Sequence, residues 1–396
     1  MSKYEEAEKI INQCIGKKGV WASTERYKNQ CWTRDFCLAV CPYLLNGNKY
    51  SIVETHLLNI ASKQAISGKI PILYLDDERE FLKEKVEKSI EKGEMSFMLK
   101  RYLDGELENL TPTTRDSEVL FIIAVREFFD ELEKNGLYSQ TTSILKLQRA
   151  SQNAMVYIKK YLLDDGKKIL FQGADWRDTR EDLDDKCVLT NACLLYKAYL
   201  SMDDEKSAAI VKKYLNDEYW NGLYFIDYPN PTTPAEADVN VDVNYENKTT
   251  PAGLSASAGP AGFDLLGNSL ACIYGVANHE QRKIIFSYPM TKLSTPFGFK
   301  MMDTFLPPIS ETERKIMEKD NAFIWPFTNG FMILALLSDP YFYKIGVDEM
   351  KKWSKLDGFY EWYDISEGGG YGSKNQLWSA ALFLRAYVVL ESVDFY

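Results

Sequence analysis

Apolar residues recur every three or four positions through segment after segment of this chain: 7–15, 37–45, 52–66, 117–133, 143–162, 188–200, 208–215, 265–276, 323–337, 347–353 and 377–390. That spacing puts a hydrophobic stripe on one side of an α-helix, and nowhere does a period of two persist long enough to build a sheet. With the charged stretch 77–100 as a further candidate, the pattern predicts an all-α chain of roughly twelve helices. Helix-loop-helix hairpins recur at a similar pitch. Twelve helices in paired hairpins can close as a double ring, an (α/α)6 barrel, whose connecting loops gather at one mouth. Residues 218–227 read as a short strand or hairpin. The stretch 229–262, rich in Pro, Thr, Asn, Asp, Ala and Gly, reads as a long irregular loop. Helices of the same character flank that loop, so 1–396 is expected to form one domain with a loop insertion, and a lid is one role such a loop could serve.

Composition removes whole classes of chemistry. Only His56 and His279 occur among 396 residues, and both sit in ordinary structural settings, one in an apolar helical run and one in a polar turn. A Ser-His-Asp triad or a histidine-rich metal centre would have to use one of these two, so catalysis must rest on carboxylates. The seven cysteines contain no CxxC pair. Cys31, Cys37 and Cys41 lie close together but do not make a four-ligand zinc site, and reduced, buried thiols are expected. No metal or organic cofactor is called for. Net charge is −10 and the isoelectric point is about 5.1, which disfavours nucleic acid as a partner. No apolar run approaches bilayer-spanning length, and the amphipathic start does not read as a signal peptide, so a cytoplasmic location is expected. The oligomeric state is left open. Aromatic residues reach 13%, with 25 Tyr and 8 Trp. A thick core explains such a surplus, and so does a sugar cleft, where the apolar face of a pyranose stacks on a ring.

Polar and aromatic residues break the helical pattern in five places. In the first, Arg34-Asp35 follows Trp32 at the start of a helix. A guanidinium beside a carboxylate can grip vicinal sugar hydroxyls, although an Asp cap with an exposed Arg fits as well. The second, Arg115-Asp116, again precedes a helix. In the third, Asp175-Trp176-Arg177-Asp178, two aspartates bracket a Trp-Arg pair; a Trp wall and a second carboxylate could raise the pKa of a general acid there. The fourth is the aromatic loop around Trp325. In the fifth, Tyr360-Glu361-Trp362-Tyr363-Asp364, a lone Glu among aromatics makes sense as a base that activates water. A glycine run and then Gln376-Leu377-Trp378 follow it.

In this order the clusters resemble the neutral/alkaline invertases and their wider clan of (α/α)6-barrel glycosidases, which includes trehalases, processing α-glucosidases and the α-1,6-glucosidase module of glycogen debranching enzymes. Asn29-Gln30 followed by Arg34-Asp35-Phe36 looks like an invertase pattern. Asp175-Trp176-Arg177-Asp178 is similar to the Thr-Trp-Met-Asp of debranching enzymes, and Lys186-Cys187-Val188-Leu189-Thr190-Asn191-Ala192 to their Lys-Pro-Val-Glu-Ile-Asn-Ala. Phe263-Asp264-Leu265-Leu266-Gly267-Asn268 resembles the Leu-Gly-Asn helix of invertases. Tyr360 through Asp364 resembles the segment carrying the clan's base, and Gln376-Leu377-Trp378-Ser379-Ala380 the Gln-Thr-Trp-Ser-Ala that follows it. The resemblance runs from Trp21 to Tyr387. It implies an inverting glycoside hydrolase with Asp178 as general acid and Glu361 as general base, while the trehalase pattern would place the acid at Asp175 instead. It further implies that Trp32, Arg34, Asp35, Arg115, Asp116, Trp176, Arg177, Trp325, Tyr363, Gln376 and Trp378 hold the sugar. Leu189 stands where the family has Glu, and the invertases' Asp-Arg-Arg-Met is absent. The sugar is therefore left open between sucrose, other α-glucosides and 1,6-branches, with a non-catalytic sugar-binding protein as the alternative.

Overall fold

The structure is a computed structural model that describes residues 2–107, 114–164, 166–178, 180–229, 262–302 and 323–392. In chain order its helices are α1 (Lys3–Cys14), α2 (Cys41–Asn46, entered through a π-helical Asp35–Val40), α3 (Tyr50–Ser62), α4 (Glu78–Lys92), α5 (Phe97–Leu103), α6 (Ser117–Lys134) and α7 (Thr142–Tyr157). They continue with α8 (Leu189–Ser201), α9 (Glu205–Glu218), α10 (Leu265–Ile273), α11 (His279–Lys292), α12 (Pro326–Leu337), α13 (Tyr343–Ser354) and α14 (Leu377–Ser392).

Burial sorts these helices into two rings. In α8, α10 and α12 nearly every residue is buried, as is most of α6 and the first half of α14. A helix that is apolar all round must be surrounded by other elements. The π-helical entry to α2 touches α6, and α6, α8, α10, α12 and α14 touch in turn until α14 meets the π-helical entry again, closing an inner ring. Outer helices cover it: α1 lies on α14, α3 on α2 and α6, α7 on α6, α9 on α8, α11 on α10 and α13 on α12. Each of these shows buried residues on one stripe only, as in α9, where Ala208, Val211 and Leu215 face inward. The architecture is the (α/α)6 barrel that the periodicity predicts. Where α12 and α14 cross, Gly330 lets them approach, because a Cβ there would lie 2.7 Å from that of Leu382.

Three expectations are corrected. His279 does not sit in a polar turn: it opens α11, the outer helix missed in the sequence, whose weak amphipathicity and internal Pro289 hide it. Its start is fixed by a capping box, in which Asn278 accepts from the Gln281 N–H and the Gln281 side chain accepts from the Asn278 N–H. The stretch 77–100 adds no helix to the rings. It breaks at left-handed Gly93 into α4 and α5, which pack on each other. The predicted helix 323–337 begins only at Pro326, since the residue before a proline is driven out of the helical region and Trp325 is extended.

Residues 219–226 do form the small hairpin read from the sequence, with Trp220 bridged to Phe225. Short antiparallel pairings that the sequence does not announce frame the barrel mouth. β1 (Gln30–Trp32) pairs with β2 (Leu73–Leu75), β3 (Ser294–Thr295) with β4 (Gly298–Phe299), and β5 (Phe323–Ile324), β6 (Tyr360–Asp364) and β7 (Gly370–Lys374) form a three-stranded sheet. The expected long loop and its role as a lid fall almost wholly on 230–261, outside the described residues. All seven cysteines are free, and every one but Cys187 is fully buried. Among the described residues no helix is long and apolar enough to cross a membrane.

Replacing Asn278 by Ala removes the capping box of α11 and is expected to cost about 1 kcal/mol. Equilibrium urea denaturation of the two chains measures the difference.

Candidate functional site

The inner helices begin at one end of the barrel, and the segments leading into them line a pocket there. Its walls are Ala22, Arg26, Tyr27, Trp32, Arg34, Asp35, Trp176, Arg177, Asp178, Trp325, Glu361, Trp362, Gln376 and Trp378, around about 760 Å³ of space including the open mouth. The N-terminal ends of the inner helices carry partial positive charge, so this end of the barrel suits carboxylates.

Glu361 lies on β6 at an irregularity in the pairing. Tyr360 pairs with Lys374 and Trp362 with Tyr371, so Gly372 and Ser373 together oppose Glu361. Such a bulge with glycine in the left-handed region re-aims the side chain opposite it. Gly372 has φ of +75°, and a Cβ there would lie 2.5 Å from Glu361 Oε2. The Ser373 N–H donates to Oε2 at 2.9 Å, the Tyr27 hydroxyl to Oε1 at 3.1 Å, and the Arg26 guanidinium reaches Oε2 at 3.5 Å. Three donors thus converge on an almost fully buried carboxylate.

Asp178 has a different setting. About 26% of its side chain remains open, and its Oδ2 lies 3.5 Å from Arg34 Nη1. Burial raises its pKa above the ordinary carboxylate value, and the negative charges of Asp116 and Asp175 add to this against the pull of Arg34. Asp175, three residues earlier, is fully buried and lines no part of the pocket. Arg177 grips it with Nε to Oδ1 at 2.9 Å and Nη2 to Oδ2 at 2.8 Å, and clamps Asp227 with its outer nitrogens at 2.6 and 2.9 Å. Burial pushes the Asp175 carboxyl up, but its bonds to Arg177 outweigh this and hold it below the usual range. Arg177 thus joins the loop before α8 to the loop after α9.

The two Arg-Asp elements meet. Arg34 is buried, not exposed, and its Nε donates to Asp116 Oδ2 at 2.5 Å. Asp116 occupies the N-cap position of α6 but makes no capping bond, and it touches the pocket only through Arg34. Arg115 turns to the Thr114 carbonyl and is not part of the pocket wall. Tyr363 is fully buried, its hydroxyl donating to the Gly358 carbonyl and accepting from the Tyr360 N–H, so it pins the strand and does not face the pocket. Asp35 does face it, with Gln376 Nε2 3.4 Å from Oδ1. Its pKa is pushed up to about 8 by burial and by the nearby Glu361 and Asp178, against the attraction of Arg34.

Aromatic rings build the rest of the wall. Trp362 lies 4.9 Å from Trp325, Trp325 5.1 Å from Trp176, Trp176 5.5 Å from Phe327, and Phe327 stacks on Trp378 at 4.7 Å. Buried polar atoms of several wall residues have no partner among the described residues: Arg34 Nη2, Trp176 Nε1, Trp378 Nε1 and Gln376 Oε1. Such groups are costly to bury unless a ligand pairs with them. Among the described residues no cluster of three His, Cys, Asp or Glu is arranged to hold a metal ion. His56 stacks on Phe36 at 3.6 Å and accepts from the Val20 N–H, far from any such role.

Sequence reasoning assigned no role to Ala22, Arg26, Tyr27 or Trp362, all of which line the pocket. Trp362 sits inside a cluster the sequence singles out and Tyr27 just ahead of another, but only the β6 pairing and the Tyr27–Glu361 hydrogen bond reveal their part.

No family model matches the sequence, and no curated protein matches it. Solved structures do match over nearly the whole chain. A substitution variant described as a glycosidase has a TM-score of 0.62 at 9% identity, covering 98% of this chain and 96% of that one. A variant of a glycosidase in complex with glucose reaches 0.60 at 9% identity, with coverage of 98% and 96%. This is the fold of those glycosidases. The GH63 mannosylglycerate hydrolase of Thermus thermophilus, in complex with Tris and D-glycerate, matches with a TM-score of 0.58 at 11% identity over 97% of this chain and 100% of that one.

Two measurements test the site's electrostatics and geometry. Asp35 has its folded pKa raised above its unfolded value, so its ionisation costs stability progressively from about pH 4 to about pH 8. Asp35→Asn should therefore stabilise the free protein at pH 7 by at least about 1 kcal/mol and flatten that decline, as read by denaturation across the pH range. Gly372→Ala should lose about 1–3 kcal/mol through the left-handed backbone and the displaced carboxylate, with a crystal structure of the variant showing Glu361 moved.

Proposed function

We propose that this protein is an inverting glycoside hydrolase acting on an α-glucoside, in which Asp178 protonates the leaving oxygen and Glu361 activates a water on the opposite face of the sugar. The observation that carries the reading is one pocket holding two carboxyl groups with opposite settings. Asp178 is partly open and favoured in its protonated form by burial and neighbouring negative charge. Glu361 accepts from three donors that fix its carboxylate in the pocket. A pair of carboxyls whose environments differ in this way is what acid/base glycoside hydrolysis requires. Asp175 is a poor donor by comparison, since both its oxygens are bonded to Arg177. The aromatic belt and the buried unpaired donors of Arg34, Trp176 and Trp378 suit a polyhydroxylated ring. The matched structures bearing glycosidase descriptions, one with glucose bound, support the same reading.

A second reading concerns the charge of the substrate. Arg26 lies at the pocket wall beside Glu361 with more than half its side chain exposed. A cation at the mouth suits a substrate that carries a carboxylate, as does the D-glycerate found with the mannosylglycerate hydrolase.

Sucrose, short α-glucosides, 1,6-branched oligosaccharides and glycosides of small hydroxy acids form the test panel, with the released anomer followed by NMR. Glu361→Gln and Asp178→Asn should each fold normally and lose turnover by on the order of a hundredfold or more. Tyr27→Phe should lower kcat more than it changes KM. Activity should fall as pH rises through the raised pKa of Asp178. Sugar binding without turnover by the wild-type chain would favour a non-catalytic sugar-binding protein instead, and retention of anomeric configuration would rule out the inverting mechanism.

A further inference from the structure

The row of aromatic rings does not stop at the pocket rim. Trp362 belongs to the pocket wall, Phe323 lies 6.3 Å from it, and Tyr371 lies 5.5 Å from Phe323. Exposure rises along this series. Trp362 is 9% exposed, Phe323 is half-buried and Tyr371 is 50% exposed, so the row runs from the wall out to solvent.

The three-stranded sheet sets this arrangement. Trp362 on β6 pairs directly with Tyr371 on β7, and Phe323 on β5 pairs with Asp364, two positions after Trp362. Paired residues share a face of a sheet, as do alternate residues of one strand, so all three rings lie on the face that Trp362 presents. The segment around Tyr371 is Gly368-Gly369-Gly370 on one side and Gly372-Ser373 on the other. None of these carries a side chain larger than a hydroxymethyl group, so nothing on its own segment covers the ring. A single exposed aromatic residue needs no explanation. One that continues a row of rings out of a carboxylate-bearing pocket has a ligand to meet.

The pocket is closed by the inner ring and open at the barrel mouth. A sugar whose bond is cut between Asp178 and Glu361 therefore leaves the rest of its molecule directed outward, past Trp362. Room continues there: Arg26, beside Glu361, lines both the pocket and an outer depression shared with Thr24, Glu25, Lys28, Glu84 and Lys88.

We infer, building on the glycoside hydrolase reading above, that the substrate is an oligosaccharide of at least three units and that Tyr371, backed by Phe323, is the platform for the second sugar on the leaving-group side. The apolar face of that pyranose lies on the Tyr371 ring while its hydroxyls stay in water.

Steady-state hydrolysis by the full chain tests this with matched pairs: maltose and maltotriose, isomaltose and isomaltotriose, sucrose and 1-kestose. For the accepted linkage, the longer sugar should have a KM lower by about fivefold. Tyr371→Ala should erase that advantage through KM, with kcat little altered, and Tyr371→Phe should keep it, since the ring and not the hydroxyl provides the platform. Circular dichroism checks that both variants fold. Turnover of a disaccharide with no gain from a third unit, or a gain that survives in Tyr371→Ala, overturns this inference and leaves the hydrolase reading standing. So does preference for a glycoside of a small hydroxy acid over every trisaccharide. No turnover of any glycoside overturns both.

Discussion

Everything in this molecule follows from six helical segments that cannot face water. Helix α12, with Pro326 to Ile333 and Ala335 to Leu337 all buried, has no solvent side to offer, and neither α8 nor α10 has much more. A closed ring inside a second ring is the arrangement that covers such helices on every side while keeping the connections short. The outer helices need only one apolar stripe, which is why they carry most of the exposed charge.

Closure forces polar chemistry to the ends. Polar side chains such as Arg34, Asp35, Asp178 and Gln376 collect where the inner helices begin, where they can pair with one another and still reach the pocket. There the helix termini supply positive potential and the connecting segments supply rings. A low-dielectric floor makes each charge depend strongly on its neighbours. Arg34 is the pivot: it bonds Asp116, approaches Asp178 and moderates Asp35, so three carboxyl groups take their character from one guanidinium. Arg177 performs a parallel task one layer away, fixing Asp175 and Asp227 so that the loop bearing Asp178 has a set position. The same crowding of buried carboxyl groups raises the pKa of Asp35, through burial and the neighbouring charges of Glu361 and Asp178.

Local signals located much of the pocket wall because its segments are breaks in a strong period. Arg34-Asp35, Trp176 through Asp178, Trp325 and Gln376 through Trp378 stand where a helical pattern starts, and such breaks are visible in one dimension. Glu361 was conspicuous for the same reason, a carboxylate among rings. What hid from the sequence was pairing. Nothing in the residues around 30 says that Gln30–Trp32 will lie against Leu73–Leu75, or that Phe323–Ile324 will edge the strand that carries Glu361. Arg115 and Tyr363 look like their neighbours in sequence yet point elsewhere, because side-chain direction is set by the turn each one occupies.

The sequence by itself determined the fold class and most of the helical segments, since periodicity is a property of the chain alone. Only the tertiary structure decided that Arg34 meets Asp116 across 82 positions, that Tyr27 reaches Glu361 across 334, and that a bulge at Gly372 and Ser373 aims that glutamate into the pocket. Those contacts join segments whose separation is fixed by ring closure, and closure is a property of all the inner helices at once.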